Sequence, residues 1–236
     1  PDSVTKIDSN AFYGCSALAE VALSESGNLS IIGYNAFENC INLTEIALPD
    51  TLSVVGIYAF RGCGALRNVT MSETVDIVPA GMFENCSSLV NVEIPAKVKS
   101  IGNNAFKNCT SIARLVLPDG LTVINGNTFN GCSSLSEINL PESISVIHDG
   151  AFEGCTSLSE IALPDAINTI GDYAFADSAL QNIFIPDSVM SIGDYAFSKC
   201  DNLITVTFGS NIRLKEIGVY TFGYCYALHS IAIPNT

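Results

Sequence analysis

Residues 141–163 read PESISVIHDGAFEGCTSLSEIAL, a stretch of 23 residues whose variants fill the chain from end to end. Phe stands at positions 12, 37, 60, 83, 106, 129, 152, 175, 197 and 222, at intervals of 22 to 25 residues. A Cys lies three residues after nine of these ten, which accounts for all nine cysteines. The tenth place holds Ser178, in the one repeat that is a residue short. An aliphatic residue lies eight before each Phe and another five before it, as Ile144 and Ile147 do for Phe152. A fixed period of this size marks a solenoid, in which each coil covers the apolar face of the next.

Each repeat has three parts. From Leu158 to Leu163, apolar and variable residues alternate with a period of two, which reads as a strand. Pro ends this segment at 49, 95, 118, 141, 164, 186 and 234, where its missing N–H stops a ladder. A short segment such as Val189 to Ile192 follows and reads as a second strand. Next comes G-x-x-A-F-x-x-C, as in Gly193 to Cys200. Its apolar spacing of three predicts one turn of helix or 3₁₀ helix carrying Phe and Cys inward.

The expected fold class is therefore α/β, mostly β. It is a right-handed solenoid of ten repeats of 22–25 residues, with parallel strands on one face and short helical turns opposite. At ~4.8 Å per coil its length is about 48 Å. The two longer repeats carry their extra residues around Glu25-Ser26-Gly27 and Gly209-Ser210-Asn211.

The period runs unbroken through 1–236, so one domain is expected, without a linker. The chain begins at Pro1-Asp2-Ser3-Val4, in phase with Pro186-Asp187-Ser188-Val189, and stops at Pro234-Asn235-Thr236. That phase predicts a fragment of a longer protein lacking its polar caps, with end-to-end contacts or a monomer as its states. Hydrophobic residues make up 48% of the chain, yet no run of 18 apolar residues exists, so no membrane insertion is expected.

The net charge is −14, from 24 acidic and 10 basic residues. Nucleic acid and anionic membranes need Lys/Arg clusters, so neither is an expected partner. Between Arg114 and Lys199 there is no Lys or Arg and there are eleven Asp or Glu. Such residues either keep an apolar solenoid soluble or form a docking face for a basic partner or cations.

The cysteines recur once per coil on one side, which predicts free core thiols acting as small apolar residues rather than disulfides. No CxxC occurs, and His148 and His229 differ in repeat phase, so no metal site is expected. No cofactor motif, GxSxG, HExxH or phosphate loop is present, and an exposed sheet face supplies no cleft for a general acid. The expectation is a non-enzyme. Sequons occur at Asn28, Asn42, Asn68, Asn85 and Asn108, the last two as by-products of the repeat.

The motif I-P-D-S-V-x-x-I-G-x-x-A-F-x-x-C-x-x-L-x-x-I, seen at Ile185 to Cys200 and again from Val98 to Cys109, resembles the BspA-like leucine-rich repeat family. Ser178, Thr128 and Thr221 depart from it by single residues. The resemblance implies a surface or secreted protein of the kind found in host-associated bacteria and some parasitic protists. It also implies an adhesin-like role toward host extracellular proteins, and it brings no catalytic motif.

If the sheet face is the binding face, its outward rows carry the site. One row includes Arg114, Glu137, Glu160 and Asn182, and the other Val116, Asn139, Ala162 and Phe184. Phe184 is the aromatic and Arg114 the cation of these rows, the residue types that anchor protein interfaces, though single exposed residues of either kind are also ordinary surface. Tyr173, Tyr195 and Tyr220 stand two before Phe, and Asp149, Asp172 and Asp194 three before it. They either cradle a sugar or calcium ion or are solvated turn residues, and one Asp per coil is thin supply for calcium. The expected function is a cell-surface protein-binding module for a host matrix or surface protein. The alternative is a stalk or spacer that presents another domain.

Overall fold

Apolar alternation and Pro stops leave each coil with two extended sides, and a tight turn closes the third. The structure, a computed structural model, describes residues 2–233, so Pro234, expected to end the last strand, lies outside the described residues. The longer strands form three parallel, in-register ladders. The first holds Glu45–Ala47, Asn68–Thr70 and Asn91–Glu93, the second Arg114–Val116 and Glu137–Asn139, and the third Asn182–Ile185 and Thr205–Phe208. Their middle residues, such as Val69, Leu115 and Ile138, point inward and are buried, while their flanks are exposed. The expected second strand is present as two-residue segments from Lys6–Ile7 to Glu216–Ile217, again parallel.

The Phe residues form one continuous column. Nine stacked pairs run from Phe12 to Phe222, with ring centroids 5.0–6.0 Å apart. Ten repeats thus give about nine turns rather than ten complete coils. The end rings are covered on one side only, and Phe12 is 37% exposed.

The expected helical turns are absent. In every repeat the residues two before and two after Phe have positive φ, as at Asn35 (53°) and Asn39 (61°), or Tyr195 (57°) and Lys199 (59°). An α-helix requires negative φ throughout, so two left-handed residues in five exclude it. This backbone makes a third ladder instead. The N–H groups of Asn35, Phe37 and Asn39 donate to the carbonyls of Ile57, Ala59 and Arg61 in the next coil, at 3.1, 2.8 and 2.8 Å. The intervening N–H groups of Glu38 and Cys40 bond back within their own coil, to Asn35 and Phe37. All three sides are therefore stitched coil to coil.

Coils can approach this closely because Gly sits at the corner before the turn. A Cβ on Gly102 would lie 2.5 Å from the Ala80 nitrogen and 2.8 Å from its Cα. Where Asn125 replaces this Gly the ladder changes, whereas His148 keeps the backbone bond, its N–H donating to the Ile124 carbonyl at 2.9 Å. Asn125 donates its side-chain amide to the Ile101 carbonyl at 2.7 Å.

The thiols have a specific role in the stack. The Cys109 Sγ donates to the carbonyl of Phe83 at 3.1 Å, and the same bond recurs from Cys40 to Phe12 through Cys225 to Phe197, at 3.1–3.3 Å. Except at Phe175, each bond uses the second lone pair of a carbonyl that already accepts the N–H three residues on. Seven cysteines are buried, but Cys15 is exposed and Cys225 half-buried, so the expectation of nine buried thiols fails at the two ends. Burial first, and the neighbouring thiols second, push the Cys63 thiol up to about 12 and hold Cys86, Cys109 and Cys155 well above the ordinary range. Burial alone pushes Cys132 up to about 12.

Candidate interaction face

Side chains alternate across a strand, and successive strands pair in register, so the outward residues fall into two rows. Arg114 is paired with Glu137 and Val116 with Asn139, while Asn182 is paired with Thr205 and Phe184 with Thr207. The structure thus brings the first four expected site residues together and the last two together. Glu160 lies between them, exposed, but in a segment outside the strand ladders. The face is one row of coils whose ladder is interrupted twice, between Asn91–Glu93 and Arg114–Val116 and again at Glu160–Ala162, not the single unbroken sheet that the repeat predicts.

Val116 is 71% exposed and Phe184 51% exposed. Arg114 is not a free cation. Its Nη2 donates to Glu137 Oε1 at 2.6 Å, with both side chains more than half exposed. Such an exposed pair contributes about 0–1 kcal/mol, so its effect is to orient the guanidinium rather than to hold the fold. Further along the face, the Asn91 amide donates to the Asn68 carboxamide oxygen at 2.8 Å.

Two shallow depressions run together near the middle of the face. The first is lined by Asn139, Glu142, Ala162, Leu163, Pro164 and Asp165. The second is lined by Asp165, Phe184, Asp187, Ser188, Asn211 and Arg213. They share Asp165.

On the turn side the acidic residues serve the backbone. Asp149 Oδ1 accepts the Asp172 N–H at 3.0 Å, Asp172 Oδ1 accepts the Asp194 N–H at 2.8 Å, and Asp194 Oδ1 accepts the Val219 N–H at 2.6 Å. The rings of Tyr173, Tyr195 and Tyr220 stack at 4.8 and 5.3 Å, so they cover one another's faces. Among the described residues, no group of three or more His, Cys, Asp or Glu is arranged to hold a metal ion.

Two features escape a reading limited to the long strands. The short strands leave their own outward residues uncovered, with Val54 50% and Ile77 51% exposed at the repeat position that Lys6 and Ile31 also occupy. The signal was the β-branched residue just before the inward aliphatic one. Arg61, one residue after Phe60, lies 3.6 Å from both Glu38 and Glu84 and 5.0 Å over the Tyr58 ring. Listing the residue after each Phe shows this alternation of charge.

The family model for the BspA type leucine rich repeat region matches residues 1–113 and 122–236, in six copies. No curated protein matches the chain. Among solved structures, a leucine-rich repeat protein of T. pallidum is 37% identical, with 66% of this chain and 72% of that one covered and a TM-score of 0.62. A leucine rich cell surface protein of Faecalibacterium prausnitzii is 28% identical, with 97% and 76% covered and a TM-score of 0.55. A leucine-rich repeat protein of Bacteroides ovatus is 25% identical, with 88% and 71% covered and a TM-score of 0.59. Among the described residues, no helix is long and apolar enough to cross a membrane. A column of Phe, a thiol ladder and parallel strands recurring every 22 to 25 residues, matched by the family model over most of its length, place this chain in the BspA type leucine-rich repeat family.

Proposed function

We propose that the chain is a non-enzymatic protein-binding module of a cell surface, adhesin-like toward a host matrix or surface protein. The observation that carries this reading is the exposed face of the long strands. Phe184 and Val116 stand uncovered on a rack of coils that is stitched on all three sides. An aromatic and an oriented guanidinium on a preorganised surface lose little entropy on binding, and such residues dominate interface energies. The proposed contact residues are Arg114, Val116, Glu137, Asn139, Glu160, Asn182 and Phe184. The surface location is supported by the F. prausnitzii relative, which is described as a cell surface protein. The rival use is a spacer that holds another domain away from the cell.

The test is binding of the chain to a panel of host matrix and epithelial proteins, with Phe184→Ala plus Arg114→Glu beside the wild type. The change removes the aromatic and sets a second carboxylate against Glu137. A bound panel protein should lose more than about 2 kcal/mol of affinity, as hot-spot truncations do. Affinity that persists unchanged in the double variant places the contact elsewhere, and a panel without a binder favours the spacer.

A further inference from the structure

Eleven carboxylates stand between Arg114 and Lys199, and the structure separates those that serve the fold from those that do not. Asp149, Asp172, Asp187 and Asp194 accept backbone N–H groups of the following coil. Glu153 accepts the Asn130 amide, and Glu137 holds Arg114. Asp119, Glu142, Glu160, Asp165 and Asp177 have no side-chain hydrogen bond or ion pair among the described residues, and of these Glu142, Glu160 and Asp165 stand around Ala162. Glu142 and Asp165 line one depression with Ala162 and Pro164, and Asp165 continues into the next beside the exposed ring of Phe184. Adjacent coils are only ~4.8 Å apart, so these unpaired charges repel one another across a floor of mixed polar and apolar surface, with Arg213 at its far end.

We infer that this trough, from Glu142 to Phe184, takes a short cationic and partly apolar protein segment in extended form. Its Lys or Arg side chains neutralise Glu142, Glu160 and Asp165, and an apolar side chain lies against Phe184 and Ala162. This rests on the reading of the strand face as the interaction face, and it specifies the partner's chemistry. The neutralised carboxylates favour a basic segment over an acidic one, and the ring distinguishes an amphipathic basic segment from a merely basic one. The span from Glu142 to Asp187 is two coil steps, about 10 Å, which three extended residues cover.

The test uses fluorescence anisotropy of the full chain with three labelled heptapeptides: alternating lysine and leucine, alternating lysine and serine, and alternating glutamate and leucine. The lysine–leucine peptide should bind, and the glutamate–leucine peptide should not. Glu142→Gln with Asp165→Asn should weaken the lysine–leucine peptide at least tenfold. Asp177→Asn with Asp201→Asn, exposed beside the turns and away from that face, should change it less than twofold. Phe184→Ser should weaken the lysine–leucine peptide and leave the lysine–serine peptide as it was. Equal losses in the two acidic double variants would mean diffuse charge attraction and overturn the trough, as would absence of lysine–leucine binding. If the peptides fail while a panel protein still loses affinity on Phe184→Ala plus Arg114→Glu, only this inference falls. If that affinity also proves insensitive to the face, the reading beneath it falls as well.

Discussion

Raising the pH from about 8.5 to about 10.5 should unfold the protein, because its buried thiols ionise in the unfolded chain long before they do in the native one. Burial holds Cys63 and Cys132 up to about 12, and Cys86, Cys109 and Cys155 well above the ordinary value. The folded-state pKa is the raised one. The stabilising difference is therefore complete below the unfolded pKa near 9 and is lost as the pH climbs from there toward about 12. Each such thiol removes about 1.4 kcal/mol per pH unit within that window. Several such thiols together remove a large part of a typical total stability of about 5–15 kcal/mol. Urea denaturation at a series of pH values measures the slope directly. Replacing Cys86, Cys109 and Cys132 by Ala should lower the stability at neutral pH yet make the alkaline slope clearly shallower. A stability that is flat between about pH 8 and 10, with the thiols reduced, would mean that the cysteines are not buried as described.

Phe106→Ala should cost about 3–5 kcal/mol, the range for emptying a buried aromatic site. The ring is fully buried and stacked on Phe83 at 5.5 Å and Phe129 at 5.8 Å. A solenoid is stabilised by its nearest-neighbour interfaces, so a cavity in a middle coil weakens two of them at once. The urea transition should also broaden as the two halves uncouple. Phe12→Ala provides the comparison, since Phe12 is 37% exposed and stacks on one ring only. Its loss should be less than half as large. Equal losses at Phe12 and Phe106 would show that the column does not act as a continuous stack.

Phe, Cys and the aliphatic positions were legible as an inward set because their period survives every substitution between them. The third side was not, since apolar spacing of three belongs both to a helical turn and to the turn found here. The missing clue was present in the residues beside Phe. Asn10, Asn35, Asn104 and Asn127 precede it by two, and Asn39, Asn85 and Asn108 follow it by two, all with positive φ. Asn enters the left-handed region readily, so its repetition at two fixed offsets argues against a helix. Tyr58, Tyr173 and Tyr195 give no such warning, because tyrosine has no local reason to adopt positive φ. The rings of Tyr173 and Tyr195 stack between neighbouring coils at 4.8 Å, a contact that only the fold creates. On the long-strand face, the exposure of Val116 and Phe184 followed from strand alternation. The pairing of Arg114 with Glu137 depended on side-chain geometry across two coils, which a row of letters does not carry.

The most direct measurement is hydrogen–deuterium exchange of the chain, free and bound to whichever panel protein it captures. Binding through the long-strand face should slow exchange in Arg114–Val116, Glu137–Asn139 and Asn182–Ile185, and leave the turns around Phe106, Phe129 and Phe175 unchanged. Slowed exchange confined to those turns or to the short strands, with the three long segments unaffected, would contradict it.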